Sequence, residues 1–336
     1  MFRRHRREFA QRAPHKRAEF IIDTTRGKDM KRGFTLIITF SRAWCIQNFF
    51  AAFNHLKIDM KRCHLLVIDN SDLTTVRDGL AEKLDVYKDF FYTTRLYKTW
   101  RKGGGELVTM DNAAWDVGKL PYIYEMHLDM MRLCTTDKFV LLEDDTLPPY
   151  KTHPDTVMRL LSHLDKHPRC GIATAIETGR SSVPYAKTRL GVHYIEREGN
   201  KITARITPSP HLRGLHHVDA CGWYCCASYK KLWLAGFEGM DEYVAGVPRF
   251  AMDNIQTNNI KLLGYDIIAD FGMWCVHMNH TSDSILFWGK KQAVPMLDVW
   301  LPQWSEYAQG VALSRPEHKK ILRRIKCQRQ RTALRG

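Results

Sequence analysis

Residues 34–69 read FTLIITFSRAWCIQNFFAAFNHLKIDMKRCHLLVID, and the fold class follows from this stretch. Phe34 to Phe40 is nearly all apolar and rich in β-branched residues, as a parallel strand buried on both faces requires. Ile46, Phe49, Phe50, Phe53 and Leu56 then recur at helical spacing, which predicts an amphipathic helix over 43–57. His64 to Asp69 is a second apolar run and ends in an acid. Strand, helix and strand in about 35 residues make a βαβ unit, whose crossover is right-handed.

The same alternation continues outward. Ile123, Met126, Met130 and Leu133 predict a helix over 121–133, and Lys138 to Leu142 is a third apolar strand that runs into Glu143-Asp144-Asp145. Val157, Leu160, Leu161 and Leu164 mark another helix, and Cys170 to Ile176 another strand. Alternating apolar residues from Val192 to Ile206, around Gly199-Asn200, predict a β-hairpin. A strand is expected over 217–229, helices over 229–235 and 252–263, and a strand from Tyr265 to Ala269. No internal repeat is present. The expectation is an α/β fold: a mostly parallel sheet flanked by helices, with a small hairpin addition. In such sheets ligands bind beyond the carboxyl ends of the strands. Asp69 and the acidic triplet both stand at such ends and are expected to share one crevice.

Composition bounds the class. The chain has 336 residues, 44% hydrophobic and 26% charged, which suits one ordinary core and excludes low-complexity and collagen-like chains. No apolar run approaches the roughly 20 residues of a membrane helix. Met1 to Arg17 is too charged for a secretory signal, and nine cysteines at irregular spacing read as reduced thiols. A cytoplasmic protein is expected, in a host cell's cytoplasm if the chain is viral. The net charge of +15 is unevenly placed. Residues 1–33 hold 11 basic and 4 acidic residues, residues 315–336 hold 9 and 1, and the remaining 31 basic and 31 acidic residues cancel. The expected organisation is a basic arm (1–33), a neutral body that forms the folded domain (34–314) and a basic tail (315–336). Basic ends suit a polyanion or an anionic membrane surface, or are simply solvated. Ile321, Leu322 and Ile325 would form an apolar stripe if the tail is helical.

Three adjacent carboxylates after a buried strand repel one another unless a cation is present. Such hard oxygen ligands suit Mg2+ or Mn2+, which also hold diphosphates. The bland alternative is a solvated loop. Phe34 to Arg42, Leu66 to Asp72 and Phe139 to Asp145, taken together, resemble the nucleotide-sugar half of a GT-A glycosyltransferase, a Rossmann-like fold, closest to the family 2 type. The resemblance implies that Thr39, Phe40, Ser41 and Arg42 line the nucleotide and that Asp69 meets the base or ribose. It places Glu143 and Asp145 on the metal, with Asp144 between them on the donor side. It implies a divalent cation, Mn2+ or Mg2+, and a nucleotide-sugar donor, UDP-sugar first. The motif begins with Glu where the family has Asp. Gly222 to Phe237 is similar to the segment before the family's acceptor loop, and Met252-Asp253-Asn254 to its E-D motif, with Met where Glu is usual. Asp253 is then the implied base, with Asp241 and Glu242 as rivals. His277 matches the place of a third metal ligand. The resemblance spans residues 34–280.

Other features have simpler readings. His216-His217 with Cys221, Cys225 and Cys226 fits no common zinc spacing. Gly103-Gly104-Gly105 lacks the ending of a phosphate loop, and Trp288, Trp300 and Trp304 suit packing of the C-terminal segment. Asn279-His-Thr281 is a chance sequon. Three functions remain. One is sugar transfer to a hydroxylated base in DNA, as in phage DNA glucosyltransferases, favoured by the basic ends. The second is a membrane-surface transferase building a glycan. The third is non-catalytic nucleic-acid binding, which leaves the acids at the strand ends unexplained. Oligomeric state is not legible.

Overall fold

The computed structural model describes residues 19–25, 33–71, 74–99, 120–177, 190–198, 201–209, 211–238 and 252–277, with two short strands at 285–286 and 293–294. In chain order the first elements are β1 (Glu19–Thr25), β2 (Phe34–Phe40), α1 (Ala43–Phe53), a 3-10 turn (Met60–Arg62), β3 (Cys63–Asp69), α2 (Thr74–Tyr87) and β4 (Thr93–Lys98). Then come α3 (Leu120–Leu133), β5 (Lys138–Glu143), β6 (Thr146–Leu147), α4 (Thr156–Lys166), β7 (Cys170–Glu177) and the pair β8 (Val192–Glu198) and β9 (Lys201–Ile206). The last are β10 (Leu215–Val218), β11 (Ala220–Cys221), β12 (Cys225–Tyr229), α5 (Lys230–Ala235), α6 (Met252–Leu262), β13 (Asp266–His277), β14 (Ile285–Leu286) and β15 (Ala293–Val294).

The central sheet has the order β1-β4-β3-β2-β5-β12-β7-β13-β10. Strands β4, β3, β2 and β5 are mutually parallel, as are β7 and β13. Antiparallel pairing enters at the edge strand β1 and through β12, β10 and β6. The expected α/β architecture is therefore present, with a parallel block at its centre. β2 and β3 are buried at every position, which is why their sequences are continuously apolar rather than alternating. α1 covers them with Phe49, Phe50 and Phe53. These rings pack with Phe40, Tyr87 and Phe91 at centroid distances of 5.2 to 6.3 Å, an aromatic layer that fixes α1 and α2 on the sheet. Gly33, at φ +96°, admits the chain into β2. A Cβ there would lie 2.0 Å from the carbonyl oxygen of Arg62.

The expected hairpin is β8 and β9, which pairs through β11 into a separate three-stranded sheet. Two expectations need correction. Residues 217–229 are not one strand but β10, β11 and β12, because the chain changes sheets between them. The strand expected at 265–269 runs on to His277, with a register shift between Asp270 and Trp274 where Gly272 interrupts the apolar run. Residues 19–25, inside the stretch expected as a basic arm, form an edge strand against β4. Gly103 to Gly105, Asp241, Glu242, Asn279 to Thr281, Trp288, Trp300, Trp304 and the tail 315–336 lie outside the described residues. Among the described residues no helix is long and apolar enough to cross a membrane.

Candidate active site

Parallel register sets which residues meet at one edge of the sheet. Phe40 is opposite Asp69, Thr39 opposite Glu143, Asp69 opposite Lys98, and Glu177 opposite Cys275. The strand ends are then stitched together. The N–H of Asp144 donates to Thr39 O, that of Asn70 to Phe40 O and that of Thr99 to Asp69 O, at 2.7 to 3.0 Å. Asp69, Glu143, Asp144, Asp145 and Glu177 thus line one carboxyl edge.

The acidic triplet is held by the turn that follows β2. Asp144 Oδ2 accepts the backbone N–H groups of Ser41 and Arg42 at 2.8 and 3.0 Å. Arg42 Nη1 lies 2.7 Å from Asp144 Oδ1 and 2.9 Å from Asp145 Oδ2. Both carboxylates are buried. Burial by itself would depress the Arg42 guanidinium, but Asp145 and Asp144 outweigh it, aided by Glu143, and hold it above its ordinary value. Burial raises the Asp144 carboxyl, against the pull of Arg42 and with the push of Asp145. The cation that the triplet demands is thus, in part, an arginine 102 residues away.

The triplet was expected to hold a divalent ion with His277. The strand register puts His277 opposite Thr146, next in sequence to Asp145. Thr146 Oγ1 is buried and has no hydrogen-bond partner among the described residues. An orphaned hydroxyl beside oxygen donors fits a hard cation's surroundings. Among the described residues no three His, Cys, Asp or Glu side chains already converge on one point. The donor set fits Mg2+ or Mn2+ in chemistry, and Arg42 sits against one of its members.

Asp69 is fully buried. Its Oδ1 accepts the Ser71 N–H and hydroxyl at 2.9 and 2.6 Å. Lys98 Nζ lies 3.1 Å from Oδ2, an ion pair without hydrogen-bond geometry. Asn70, beside it, donates to Ser41 Oγ and accepts from the Thr99 hydroxyl. Asp69 therefore organises the residues 70–71 that follow it.

Asp253 is brought in by α6. The polar face of this helix is sewn to residues 219–223: Cys221 N–H donates to Thr257 Oγ1, Trp223 Nε1 to Gln256 Oε1, and Asn258 Nδ2 to Asp219 O. These bonds satisfy otherwise buried polar groups and fix the helix start. Asp253 Oδ1 accepts the N–H and Nδ2 of Asn254, both at 2.7 Å. Its Oδ2 would lie 3.2 Å from a Cβ at Gly222, so the close approach depends on glycine. Tyr224, two residues on, accepts the Glu143 N–H at 3.0 Å. That bond links the Asp253 side of the sheet to the triplet.

Sequence reasoning missed two residues here and the ion pairs of a third. Glu177 ends a buried strand as Asp69 does, and the same rule would have found it. Lys98 ends a strand too polar to recognise. The Arg42 ion pairs depend on tertiary contact and leave no local signal. No zinc site forms at 216–226. Burial pushes the Cys221 and Cys226 thiols up and keeps them neutral. None of the eight cysteines among the described residues is in a disulfide, and all are buried.

No family model and no curated protein matches the chain. Among solved structures it is similar to the mannosyltransferase PcManGT from Pyrobaculum calidifontis in complex with GDP-Man and Mn2+, at 14% identity and a TM-score of 0.44, over 82% of this chain and 63% of that one. It is also similar to GalNAc-T7 with UDP, GalNAc and Mn2+, at 9% identity and a TM-score of 0.48, over 75% of this chain and 45% of that one. The chain spans less than two thirds of the length of either. Likeness this distant decides nothing about chemistry, which rests on the residues above.

Proposed function

We propose that the chain is a metal-dependent glycosyltransferase that moves a sugar from a nucleotide, UDP first, to a hydroxyl acceptor. The observation that carries this reading is the gathering of the Glu143-Asp144-Asp145 turn and Glu177 at one sheet edge, bonded through Tyr224 to the segment that holds Asp253. In the proposal, Glu143, Asp145 and His277 hold Mn2+ or Mg2+. The bound cation neutralises the leaving diphosphate. Thr39 to Arg42, with Asn70 and Ser71, form the nucleoside side, and Asp69 positions them. Asp253 takes the acceptor's proton as its oxygen forms the new bond to the anomeric carbon and the bond to diphosphate breaks. Direct in-line attack of this kind inverts that carbon.

For the acceptor we propose a hydroxylated base in DNA, supported by basic ends on a neutral body. A duplex base would have to leave the stack to reach the crevice. The test is incubation with nucleotide sugars, Mn2+ and hydroxymethylated DNA, read by nucleoside mass spectrometry. A sugar-modified nucleoside is expected. Transfer to water or to glycan acceptors alone removes DNA. A companion measurement neutralises Arg3, Arg4, Arg6 and Arg7 rather than deleting the arm, because deletion through residue 33 would strip β1 from β4. Each lost phosphate contact should take about 0.9 from the log–log salt slope on duplex DNA. An unchanged slope, with binding to anionic liposomes, favours the surface-glycan reading.

A further inference from the structure

The two basic ends of the chain join the fold differently. β1 runs antiparallel to β4, with Glu19 opposite Lys98 and Thr25 opposite Thr93. β4 is parallel to β3, and Lys98 stands opposite Asp69. The first residue of β1 is therefore at the carboxyl edge of the parallel block, the edge that carries Asp69 and the acidic turn. Residues 1–18, which enter the fold there, contain seven basic residues, from Arg3 to Arg17, against the single acid Glu8. The tail 315–336 is separated from β13, the last strand of the central sheet, by positions 278–314. The body between the two ends carries 31 basic and 31 acidic residues, so it supplies no net charge to attract a polyanion.

From this topology we infer that segment 1–18 is the phosphate-binding element of the active-site edge, and that it holds a DNA acceptor by one flank of the target base. The inference rests on the proposed DNA acceptor and deepens it. Four strand steps, β1-β4-β3-β2-β5, separate Glu19 from the acidic turn, about 19 Å at ~4.8 Å per step. A duplex rises ~3.4 Å per base pair, so the phosphates above β1 lie about five to six base pairs from a base in the crevice. Lys16 and Arg17 precede Glu19 by three and two residues, Arg12 by seven and Arg3 by sixteen. At about 3.4 Å per residue, Lys16 and Arg17 stay within ~10 Å of Glu19 and Arg12 within ~24 Å, while Arg3 reaches at most ~54 Å. All seven cations can therefore meet the flank above β1, and only those farthest from Glu19 can pass well beyond the crevice. Contacts to phosphate carry affinity and fix register without reading sequence. Anchoring one flank in this way offsets the cost of drawing the target base out of its stack.

The test is sugar transfer by the full chain to two duplexes of about 20 base pairs, one hydroxymethylated base being placed near either end, so that only its 5′ or only its 3′ flank is long. One variant combines Arg12→Gln, Lys16→Gln and Arg17→Gln, the cations confined to the near flank. A control combines Lys319→Gln, Lys320→Gln and Arg323→Gln in the tail. With one of the two duplexes the arm variant should raise KM by about tenfold with kcat unchanged, and should flatten the log–log salt dependence of KM by about 0.9 per lost contact. With the other duplex KM should stay near that of wild type. The tail control should not discriminate between the two duplexes. A KM that is unchanged for both duplexes, a rise of equal size for both, or the same discrimination by the tail control overturns the inference and leaves the DNA acceptor standing. If wild type modifies neither duplex, the DNA acceptor falls and this inference falls with it.

Discussion

Strands β3 and β5 flank β2 and both end in acid, yet their endings differ in kind. Asp69 is one carboxylate facing one lysine and the Ser71 donors, and its charge is balanced. The turn after β5 sets three carboxylates against one guanidinium. Both places are buried, so burial does not tell them apart. Crowding does: adjacent carboxylates raise the cost of one another's ionisation, and a single carboxylate paired with a lysine does not. Asp270 supplies a third case, farther along the sheet. It is fully buried, and Arg159, His163 and the Gly272 N–H surround it at 2.8 to 2.9 Å. It belongs with Asp69.

The largest effect should come from breaking the crowded cluster. Asp145→Ala should lower turnover by about 10³-fold or more, since metal stabilisation of a leaving group is worth several kcal/mol. Mn2+ binding should be lost with it. Undiminished activity in excess chelator would remove Asp145 from the chemistry. Asp253→Asn should sharpen the contrast by separating charge from proton transfer. It keeps the shape and removes the base, so kcat should fall by about 10²-fold at least while Mn2+ and UDP binding survive. If instead Glu242→Gln is inactive and Asp253→Asn active, the base lies in the segment outside the described residues.

The strands that carry these endings were not equally legible in sequence. β2, β3, β5 and β7 stand out because strands buried on both faces are continuously apolar. β1 (EFIIDTT) and β4 (TTRLYK) do not, since mixed polar residues near a sheet edge carry no clean period. α2 hides for a related reason. Its only buried side chains, Val76, Leu80 and Leu84, make a thin stripe in a polar helix. The acids at strand ends could be read directly, and Asp69 and the triplet fall where expected. What neutralises each acid could not be read, because Arg42 and Lys98 come from elements distant in sequence. Which cation each acid faces is therefore invisible until the fold is known.

Asp69→Asn should act on stability rather than on metal binding. It leaves Lys98 without its anion and weakens the Ser71 bonds, a loss of about 1 to 3 kcal/mol for hydrogen bonds to a charged group. Lys98 is partly exposed, so the lower end is expected. Chemical denaturation measures it, with Mn2+ affinity as the control that should not move. A loss of Mn2+ binding with no loss of stability would place Asp69 in the site after all.

The smallest effect is also the most direct reading of the contrast, because the two kinds of acid should respond to pH with opposite signs. The Asp270 carboxyl is held below its ordinary value: burial pushes it up, but His163, the Gly272 N–H and Arg159 together outweigh burial. Its unfolded form binds a proton more readily than its folded form, so it contributes stability above about pH 4, lost as pH falls through the lower folded value. Asp144 is the reverse. Its carboxyl is raised by burial and by Asp145 beyond what Arg42 and two backbone donors recover. The folded form there holds the proton more readily. Its relative contribution is present below about pH 4 and lost as pH rises through the higher folded value. Unfolding free energies of wild type, Asp270→Asn and Asp144→Asn between pH 3 and 7 should separate the two. Asp270→Asn should flatten the acid limb and lower stability at pH 7. Asp144→Asn should remove an opposing slope, so that its stability relative to wild type improves as pH rises from 4. Parallel curves for the two variants would mean that Asp144 is as well compensated as Asp270.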